Sequence, residues 1–540
     1  MRCLVAPTSA MGYSRLYLDH LAGAESAGRF YSVPSIDQSA QNLDRASHDR
    51  DRMASILEKQ NRLFGASDET QVNIERLRDK NSLCMFAGQQ AGLFGGPLLV
   101  MMKALGIVKA ARLYSRQLGR PVIPIFWIGG DDHDFDEINH TFVLDRRTSP
   151  VRVTYGALPE HRPPASEIVF RDADELNRAK ELLRKTLGDT DFTGELYRLI
   201  DNAYTCQDTF VSAFGKFMSA LTGELGLVFF SPGDAEVKRH AVPFFEAVLD
   251  KQEELHQRLE ESNRQIVQSG YHIQVEKSEN ATHLFYNREG RRPILRAGDR
   301  FAVGNQLLLK AELTDRIRTE PERFSPDVMT RPVLQSYLFP VLSQKAGPSE
   351  LAYLAQTDRI FELFDLTPPF YVARPSATLV EKRFAELMHR GHIEFGEVTG
   401  DIEQVVNRIL SQTFPADVQK GFALLREDIE YHIEKFTSET LGFDPALEKS
   451  AQQTFGRIDF ALKNFEGKVF AAHKKKSSDV RDRIYRLHNA LFPERRLQER
   501  SLNVCSFLSR YGLDFVSFLY ENLDSEETAH QVIDLTEFSS

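Results

Sequence analysis

The chain has 540 residues, 42% of them hydrophobic, and a chain of this length is expected to form two or three domains with more than one core. Its 67 basic and 77 acidic residues give a net charge of −10, which argues against a broad electrostatic surface for nucleic acid. The four cysteines are far apart, which argues against a disulfide framework and a structural zinc site. No long apolar run occurs, which argues against a membrane span. We therefore expect a cytoplasmic protein.

Residues 83 to 144 alternate short apolar runs with a helical stretch. The segment LCMFA is followed by a glycine-rich turn, a helical stretch from Pro97 to about Leu118, and the run VIPIFWI at residues 122 to 128. A run that is apolar at nearly every position favours a parallel strand covered on both faces, and crossover helices join such strands. The segment GLVFFSP, residues 226 to 232, is predicted to be another such strand. The first half is therefore predicted to be an open α/β sheet.

The turn GQQAGLFGGP, residues 88 to 97, lies between the first predicted strand and its helix. Its four glycines allow a ligand to approach closely, and the start of the following helix offers unpaired N–H groups to an anion. The spacing matches neither of the two common nucleotide-binding motifs, and a plain tight turn is the alternative interpretation. The candidate binding residues are Gln89, Gln90, Gly92, Gly95 and Gly96, with Lys103 two turns into the helix.

The segment FWIGGDDHDFDEINH, residues 126 to 140, places five carboxylates and two histidines directly after an apolar run. In open α/β sheets ligands bind beyond the carboxyl ends of the strands, so these charges are expected to face a cleft. An EF-hand calcium loop is excluded, because Glu137 stands where glycine is needed and Val143 where glutamate is needed. A loose Mg²⁺ site, proton transfer by His133 beside Asp132 or Asp134, and a merely acid-rich helix start remain as alternatives.

Residues 234 to 330 mix a polar helix with the β-like pieces HIQVE and HLFYN, which is typical of insertions on a sheet. The segment AGPSELAYLAQ that follows predicts a turn, a serine N-cap at Ser349 and a helix start. Lys345, Glu350 and Tyr353 are candidate site residues there, although capping alone would explain the serine.

After Pro375 the chain becomes polar, with apolar residues at helical spacing. One stripe runs from Val418 to Phe436 and a second from Leu447 to Val469, on either side of the break LGFDP. These stripes predict two long helices in an antiparallel hairpin, and ordinary helix packing explains them without a cofactor. Lys474, Lys475 and Lys476 are most simply a solvated face, with proximity to a nucleotide phosphate as the alternative.

Five blocks of this sequence closely resemble the cysteine ligase family of bacillithiol biosynthesis (BshC), and the resemblance covers essentially the whole chain. The blocks are GQQAGLFGGPLLVMMKALGIVKAA, PIFWIGGDDHDFDEINH, SPDVMTRPVLQSYLFP, AGPSELAYLAQ and LNVCSFLSRYGLDFVSFLYENLD. One departure is Lys345-Ala346-Gly347, where the family usually has a double glycine.

The resemblance implies an α/β, Rossmann-like parallel sheet with connecting-peptide insertions, similar to class I aminoacyl-tRNA synthetases, and a C-terminal coiled coil that forms a homodimer. The implied layout is a first part of the core at residues 1–233, insertions at 234–330, a return to the core at 331–380, the helical coiled coil at 381–492, and a segment packing on the core at 493–540.

The implied reaction adds L-cysteine to glucosaminyl malate. Because an amine does not displace hydroxide from a carboxylate at useful rates, cysteine must first be activated, most simply by ATP, with Mg²⁺ possible and no tightly bound metal expected. The candidate roles are charge binding by the glycine loop and Lys103, amine or Mg²⁺ binding by Asp132 or Asp134, proton transfer by His133, and malate binding by Arg331 and Arg374.

Two other functions fit the same residues. A metal-dependent hydrolase could use the Asp/His segment to activate water. A non-catalytic coiled-coil dimer could use the Rossmann-like core only to bind a nucleotide. A requirement for ATP, as opposed to a transition metal alone, would distinguish the ligase from the hydrolase.

Overall fold

The structure of the protein is a computed structural model, and it describes residues 4–6, 12–157 and 162–538. The chain divides into two compact units, one formed by residues 1–381 with 496–540 and the other by residues 382–495. These boundaries lie next to the residues 381 and 492 at which the sequence placed the helical region. No helix in the described ranges is long and apolar enough to cross a membrane.

The strands found in the described residues are numbered along the chain as β1 (Leu4–Ala6), β2 (Leu83–Gln89), β3 (Val122–Ile128), β4 (His140–Leu144), β5 (Pro150–Thr154), β6 (Val228–Phe230), β7 (Ala281–Asn287), β8 (Arg291–Ala297), β9 (Arg300–Val303), β10 (Gln306–Leu309), β11 (Phe324–Pro326), β12 (Val341–Ala346), β13 (Phe370–Ala373), β14 (Ala377–Val380) and β15 (His530–Asp534).

The α-helices of the same ranges are α1 (Arg15–Leu21), α2 (Glu25–Gly28), α3 (Ile36–Leu43), α4 (Arg50–Leu63), α5 (Asp68–Arg76), α6 (Leu99–Leu118), α7 (Phe135–Ile138), α8 (Ala173–Leu187), α9 (Thr193–Ala203), α10 (Phe210–Thr222), α11 (Ala235–His240), α12 (Val242–Asp250), α13 (Gln252–Gln268), α14 (Lys310–Thr319), α15 (Arg331–Leu338), α16 (Pro348–Thr357), α17 (Lys382–Gly391), α18 (Phe395–Thr399), α19 (Ile402–Gln412), α20 (Ala416–Phe443), α21 (Glu448–Lys476), α22 (Ser478–Leu491), α23 (Gln498–Ser501), α24 (Cys505–Tyr511) and α25 (Phe515–Asn522).

The central sheet has five parallel strands in the order β13-β12-β2-β3-β6. The chain starts in the middle with β2, moves outward through β3 and β6, and then returns to the other side at β12 and β13, which is the doubly wound Rossmann arrangement. The predicted Rossmann-like fold is confirmed. The strand order reverses between β2 and β12, and ligands bind at such a switch point in open α/β sheets.

Strand β3 shows why its sequence is apolar throughout. All seven of its residues are buried, because successive side chains enter two different cores on the two faces of the sheet. Val122, Phe126 and Ile128 lie in one core and Ile123, Ile125 and Trp127 in the other.

Between β6 and β12 the chain forms an insertion that carries an antiparallel sheet in the order β10-β9-β8-β7-β11. The predicted strand HLFYN is part of β7, but the prediction of a strand at HIQVE is wrong. There the backbone N–H groups of Gln274 and Val275 donate to the Oε1 of Gln356, at 3.2 and 3.0 Å, so a side-chain amide replaces a neighbouring strand.

The start of α16 also differs from the prediction. Gly347, and not Ser349, is the N-cap residue, and the side chain of Glu350 accepts a hydrogen bond from the Gly347 N–H at 2.8 Å. Pro348 suits the first position of this helix, because that position needs no donor. Glu350 therefore has a capping role in addition to its position in the site.

The end of the chain returns to the first unit, where β15 pairs with β1 and β14 in a small sheet. The second unit is helical throughout its regular structure in the described residues, and its two longest helices, α20 and α21, form the hairpin that the two apolar stripes predicted.

Candidate active site

A cavity of about 510 Å³ opens at the carboxyl ends of β2, β3 and β12, at the switch point of the central sheet. Residues of α6, α15, α16, the insertion and the C-terminal segment also contribute to its wall. The residues of the sequence prediction that line it are Gln89, Gln90, Lys103, Asp132, Arg331, Glu350, Tyr353 and Arg374.

Asp131 and Asp132 follow β3 and reach the cavity in different ways. Asp131 forms an ion pair with the buried Lys238, whose Nζ lies 2.8 Å from Oδ1 and 2.9 Å from Oδ2. Asp132 accepts from Gln90 Nε2 at 2.5 Å and from the His133 N–H at 2.7 Å. Partial burial opposes ionisation of Asp132, but these hydrogen bonds and the Arg291 charge lower its pKa. Asp132 is therefore a well-ionised carboxylate at the cavity wall.

His133 lies beside this wall and is not among the residues that line the cavity. Its Nδ1 is 3.3 Å from Nη1 of Arg291, and partial burial together with the Arg291 charge lowers the pKa of His133. A guanidinium group only donates, so Nδ1 is the acceptor and the neutral ring carries its proton on Nε2. In this arrangement the imidazole has no lone pair free to accept a proton.

Asp134 is an exposed helix cap. Its Oδ1 accepts from the Glu137 N–H at 3.3 Å at the start of α7, and it does not line the cavity. The alternative interpretation of this segment, an acid-rich helix start, thus describes Asp134 well.

Lys103 and Glu350 form an ion pair in the cavity wall. The Nζ of Lys103 donates to Glu350 Oε2 at 2.6 Å, to Gln89 Oε1 at 2.9 Å and to the Gly88 carbonyl at 2.8 Å. Although burial opposes ionisation, Lys103 and the Gly347 N–H lower the pKa of Glu350. The three acceptors use all three N–H bonds of the ammonium group, so Lys103 ties β2 to α16 in this conformation.

Arg331 and Tyr353 form a second polar group at the cavity. Nη2 of Arg331 donates to the Tyr353 hydroxyl, and burial raises the pKa of Tyr353 to about 12. Among the described residues no hydrogen-bond partner exists for the buried Nε of Arg331. A buried N–H without an acceptor is costly, so this arginine is suited to an anionic ligand.

Arg374 lines the cavity but is paired within the protein. Its Nη2 donates to Glu499 Oε1 at 2.7 Å, and its Nη1 donates to the Pro375 carbonyl at 2.9 Å. Both side chains are almost fully buried. Arg374 thus joins the end of β13 to the C-terminal segment.

Gly92, Gly95 and Gly96 of the glycine loop do not line the cavity, unlike Gln89 and Gln90 at its start. The Gly95 N–H donates to the Tyr204 hydroxyl at 3.0 Å, the Gly96 N–H donates to the Leu93 carbonyl at 3.0 Å, and both residues are buried. Gly92 packs against Gly96, where a Cβ on Gly92 would lie 2.7 Å from the Gly96 Cα. Contrary to the expectation from the sequence, these glycines are not brought to the cavity, and their N–H groups are used inside the turn.

Several cavity residues were not predicted from the sequence. Arg291 on β8 stacks over the Phe285 ring at 3.8 Å, and Lys277 is held by the buried Asp327 at 2.9 Å. The missed lining residues with charged side chains are Asp131, Glu137, Lys277, Arg291, Asp327 and Arg500. Asp131 and Glu137 belong to the predicted acidic segment, whereas the others lie in the insertion or the C-terminal segment, where no local pattern marks them.

The cavity therefore presents carboxylates and guanidinium groups to one space, which suits a ligand carrying both an ammonium group and carboxylates. Within the described residues no three His, Cys, Asp or Glu side chains are grouped to hold a metal ion. Asp131 and Asp132 already have Lys238 and Gln90 as partners.

Comparisons with known proteins agree with this architecture. The N-terminal Rossmann-like domain of bacillithiol biosynthesis BshC matches residues 1–375, and the C-terminal coiled-coil domain of BshC matches residues 377–535. A protein of Koribacter versatilis named "Putative cysteine ligase BshC" is 31% identical over 94% of this chain and 95% of its own. Proteins of the same name from Geobacillus thermodenitrificans and Salinibacter ruber also match. The first is 30% identical over 96% of this chain and 98% of its own. The second is 28% identical over 98% of this chain and 97% of its own. The chain belongs to the BshC family of bacillithiol biosynthesis.

Proposed function

We propose that this protein is a ligase that joins the carboxyl group of L-cysteine to the amine of glucosaminyl malate and so forms bacillithiol. The family and the names of the relatives support this assignment. The observation that carries it is the cavity at the switch point, where Asp132 and Arg331 face one space. The two substrates together carry two amino groups and three carboxylates, which such a mixed charge lining can bind.

The reaction needs activation of the cysteine carboxylate, because hydroxide is a poor leaving group. We propose ATP as the activating co-substrate, with transfer of either an adenylyl or a phosphoryl group to a carboxylate oxygen. The amine then forms the C–N bond, and AMP or phosphate departs with the electron pair of the C–O bond. Mg²⁺ would accompany the nucleotide as a counter-ion, and no step is assigned to a metal held by the protein.

The roles of individual side chains follow from their partners. Asp132 is an ionised carboxylate that can hold a substrate ammonium group. The Nε of Arg331 has no hydrogen-bond partner within the described ranges, and the exposed Arg500 lies at the same cavity, so these two are proposed to bind the malate carboxylates. Arg374 is paired with Glu499, so its earlier assignment to malate is replaced by a supporting position.

We further propose a cytoplasmic homodimer. Cys84, Cys206 and Cys505 are free thiols, which fits a reducing compartment. The α20–α21 hairpin exposes large apolar side chains. Among them are Leu424, Phe436 and Phe460, whose exposed fractions are 60%, 69% and 66%. Such a surface favours association with a second hairpin.

The deciding experiment is mass spectrometry of a reaction that contains purified protein, ATP, Mg²⁺, cysteine and glucosaminyl malate. We expect bacillithiol together with AMP if activation is by adenylate, or with ADP if it is by acyl phosphate. Reactions without ATP, and with a transition metal in its place, are the controls. Consumption of substrate by hydrolysis in the metal reaction, with no thiol product in the ATP reaction, would contradict the proposal.

Arg331→Gln tests the assignment of the malate carboxylates. Loss of a charge-assisted hydrogen bond is expected to raise the KM for glucosaminyl malate about 10- to 100-fold and to leave the KM for cysteine nearly unchanged. Arg300→Gln, on the exposed face of the insertion sheet, is the matched control and should behave as the parent. An unchanged KM for glucosaminyl malate in Arg331→Gln would rule out this role.

A further inference from the structure

The five carboxylates after β3 have different surroundings, and Glu137 is the one that lines the cavity with neither an ion pair nor a close side-chain hydrogen bond among the described residues. Asp131 is paired with Lys238, and Asp134 caps α7. Asp132 is fixed by Gln90 and a backbone N–H, and Asp136 is exposed outside the cavity. Glu137 lines the cavity, and none of the described basic side chains forms an ion pair with it.

Glu137 lines the same cavity as Asp132. Its backbone N–H donates to Asp134 Oδ1 at 3.3 Å, which places Glu137 in the first turn of α7. Gln90, which also lines the cavity, donates to Asp132 at 2.5 Å. Glu137 and Asp132 thus reach one cavity from nearby positions in the segment after β3.

The surroundings of Glu137 and Asp132 shift the pKa values of the two carboxyl groups in opposite directions. Partial burial, together with the negative charges of Asp132 and Asp134, raises the pKa of Glu137, against the opposing effects of the Gln90 side chain and the Lys103 charge. The pKa of Asp132 is lowered. Two neighbouring carboxyl groups with opposite shifts are typical of a site in which one accepts a proton while the other stays charged.

We propose that Glu137 is the catalytic base that accepts the proton of the attacking amine, an inference that rests on the proposed ligase function. The nitrogen lone pair of glucosaminyl malate forms the C–N bond to the activated cysteine carbonyl carbon. One N–H proton passes to a carboxylate oxygen of Glu137, and AMP or phosphate leaves with the C–O electron pair. Asp132 stays ionised and holds an ammonium group of the bound substrate.

His133, the proton-transfer candidate of the sequence, is less suited to this step. Its Nδ1 accepts from Arg291, its Nε2 carries the proton of the neutral ring, and it does not line the cavity. A base needs a free lone pair within hydrogen-bond reach of the proton that it removes. The two residues therefore predict different outcomes on substitution.

The test compares Glu137→Gln with Asp136→Asn, a matched loss of one carboxylate in the same turn of α7 but outside the cavity. We expect Glu137→Gln to lower kcat by roughly 10²- to 10⁴-fold, to change both KM values little, and to remove the acidic limb of the kcat/KM pH profile. Asp136→Asn should keep the parent values. Thermal melts of all variants establish that they are folded.

Glu137→Asp keeps the carboxylate but shortens the side chain, so an intermediate kcat with a retained acidic limb is expected. Parent-like turnover of Glu137→Gln, or loss of the acidic limb in His133→Asn instead, would overturn the assignment while leaving the ligase function intact. Absence of product from the parent protein would overturn both. If Glu137→Gln does not fold, a parent-like kcat in Glu137→Asp contradicts the proposal, and an intermediate kcat with normal KM values and a retained acidic limb supports it.

Discussion

At the scale of single residues, the first unit buries several ionisable groups whose charge state affects its stability. Asp358 is 8% exposed and accepts hydrogen bonds from the Ser32 N–H at 3.1 and 3.2 Å. Burial raises the pKa of Asp358 to about 6 from an ordinary value of 3.8. The folded protein therefore binds this proton more tightly than the unfolded chain does.

The consequence is a stability that falls as pH rises. Below 3.8 both states are protonated, and between 3.8 and about 6 the unfolded chain ionises first, so the free energy of unfolding decreases until the folded carboxyl also ionises. Asp358→Asn removes this effect. We expect the variant to exceed the parent by roughly 1–3 kcal/mol in the free energy of unfolding at pH 7.5, and the difference to shrink at pH 5.

Urea denaturation at the two pH values measures this difference. Asp299→Asn, in an exposed turn of the insertion sheet, is the control and should show no such pH dependence. A stability gain in Asp358→Asn that is equal at both pH values would contradict the explanation.

At the scale of structural elements, the glycine turn between β2 and α6 is a packing feature. Gly95 has a φ of +88°, and a Cβ there would lie 2.9 Å from the Phe217 ring. The turn connects the end of β2, which lies at the cavity, to the start of α6. Lys103 on α6 then pairs with Glu350. The glycines of this turn support the site indirectly, because they allow a backbone conformation in which other residues would be strained.

Gly95→Ala separates this role from ligand binding. The left-handed backbone costs about 1–2 kcal/mol for alanine, and displacement of Phe217 adds to that, so the free energy of unfolding should fall by roughly 2 kcal/mol or more. Gly194→Ala, at an open helical position in α9, should be neutral or slightly stabilising. Thermal melts and calorimetric titration of the folded protein with substrates provide the measurements. A weakened affinity with an unchanged melting temperature would restore the ligand-binding role that the sequence suggested.

At the scale of the whole molecule, the proposed homodimer rests on exposed apolar side chains of the helical unit. A groove of about 450 Å³ between α20 and α21 is lined by Ile433, Phe436, Leu447, Ala451 and Ile458. Exposed apolar surface of this kind is unusual in a monomer and typical of an interface.

Phe436→Asp should convert a dimer into a monomer, because an aspartate in a buried apolar interface is strongly unfavourable. Multi-angle light scattering at micromolar concentration measures the mass, and Glu434→Ala, on the same helix but outside the groove, is the control. A parent protein that is monomeric under these conditions would refute the proposed homodimer.

The sequence alone determined the elements that depend on local patterns. The continuous apolar run of β3 and the helical stripes of α20 and α21 each follow from side-chain spacing, and both are found as predicted. The acidic segment after β3 was expected to face a cleft, since ligands of parallel sheets bind at the carboxyl ends of the strands. Asp132 of that prediction lines the cavity, whereas His133 and Asp134 do not.

The tertiary structure decided which of the candidate groups are free to act. Lys103 pairs with Glu350 across 247 residues, Asp131 with Lys238 across 107, and Arg374 with Glu499 across 125. Spacing along the chain carries no information about such pairs, because they form only when distant elements fold together. In the same way, Nδ1 of His133 contacts Arg291, and no basic side chain in the described part of the chain forms an ion pair with Glu137, so the chemistry of the acidic segment is set by its neighbours in space.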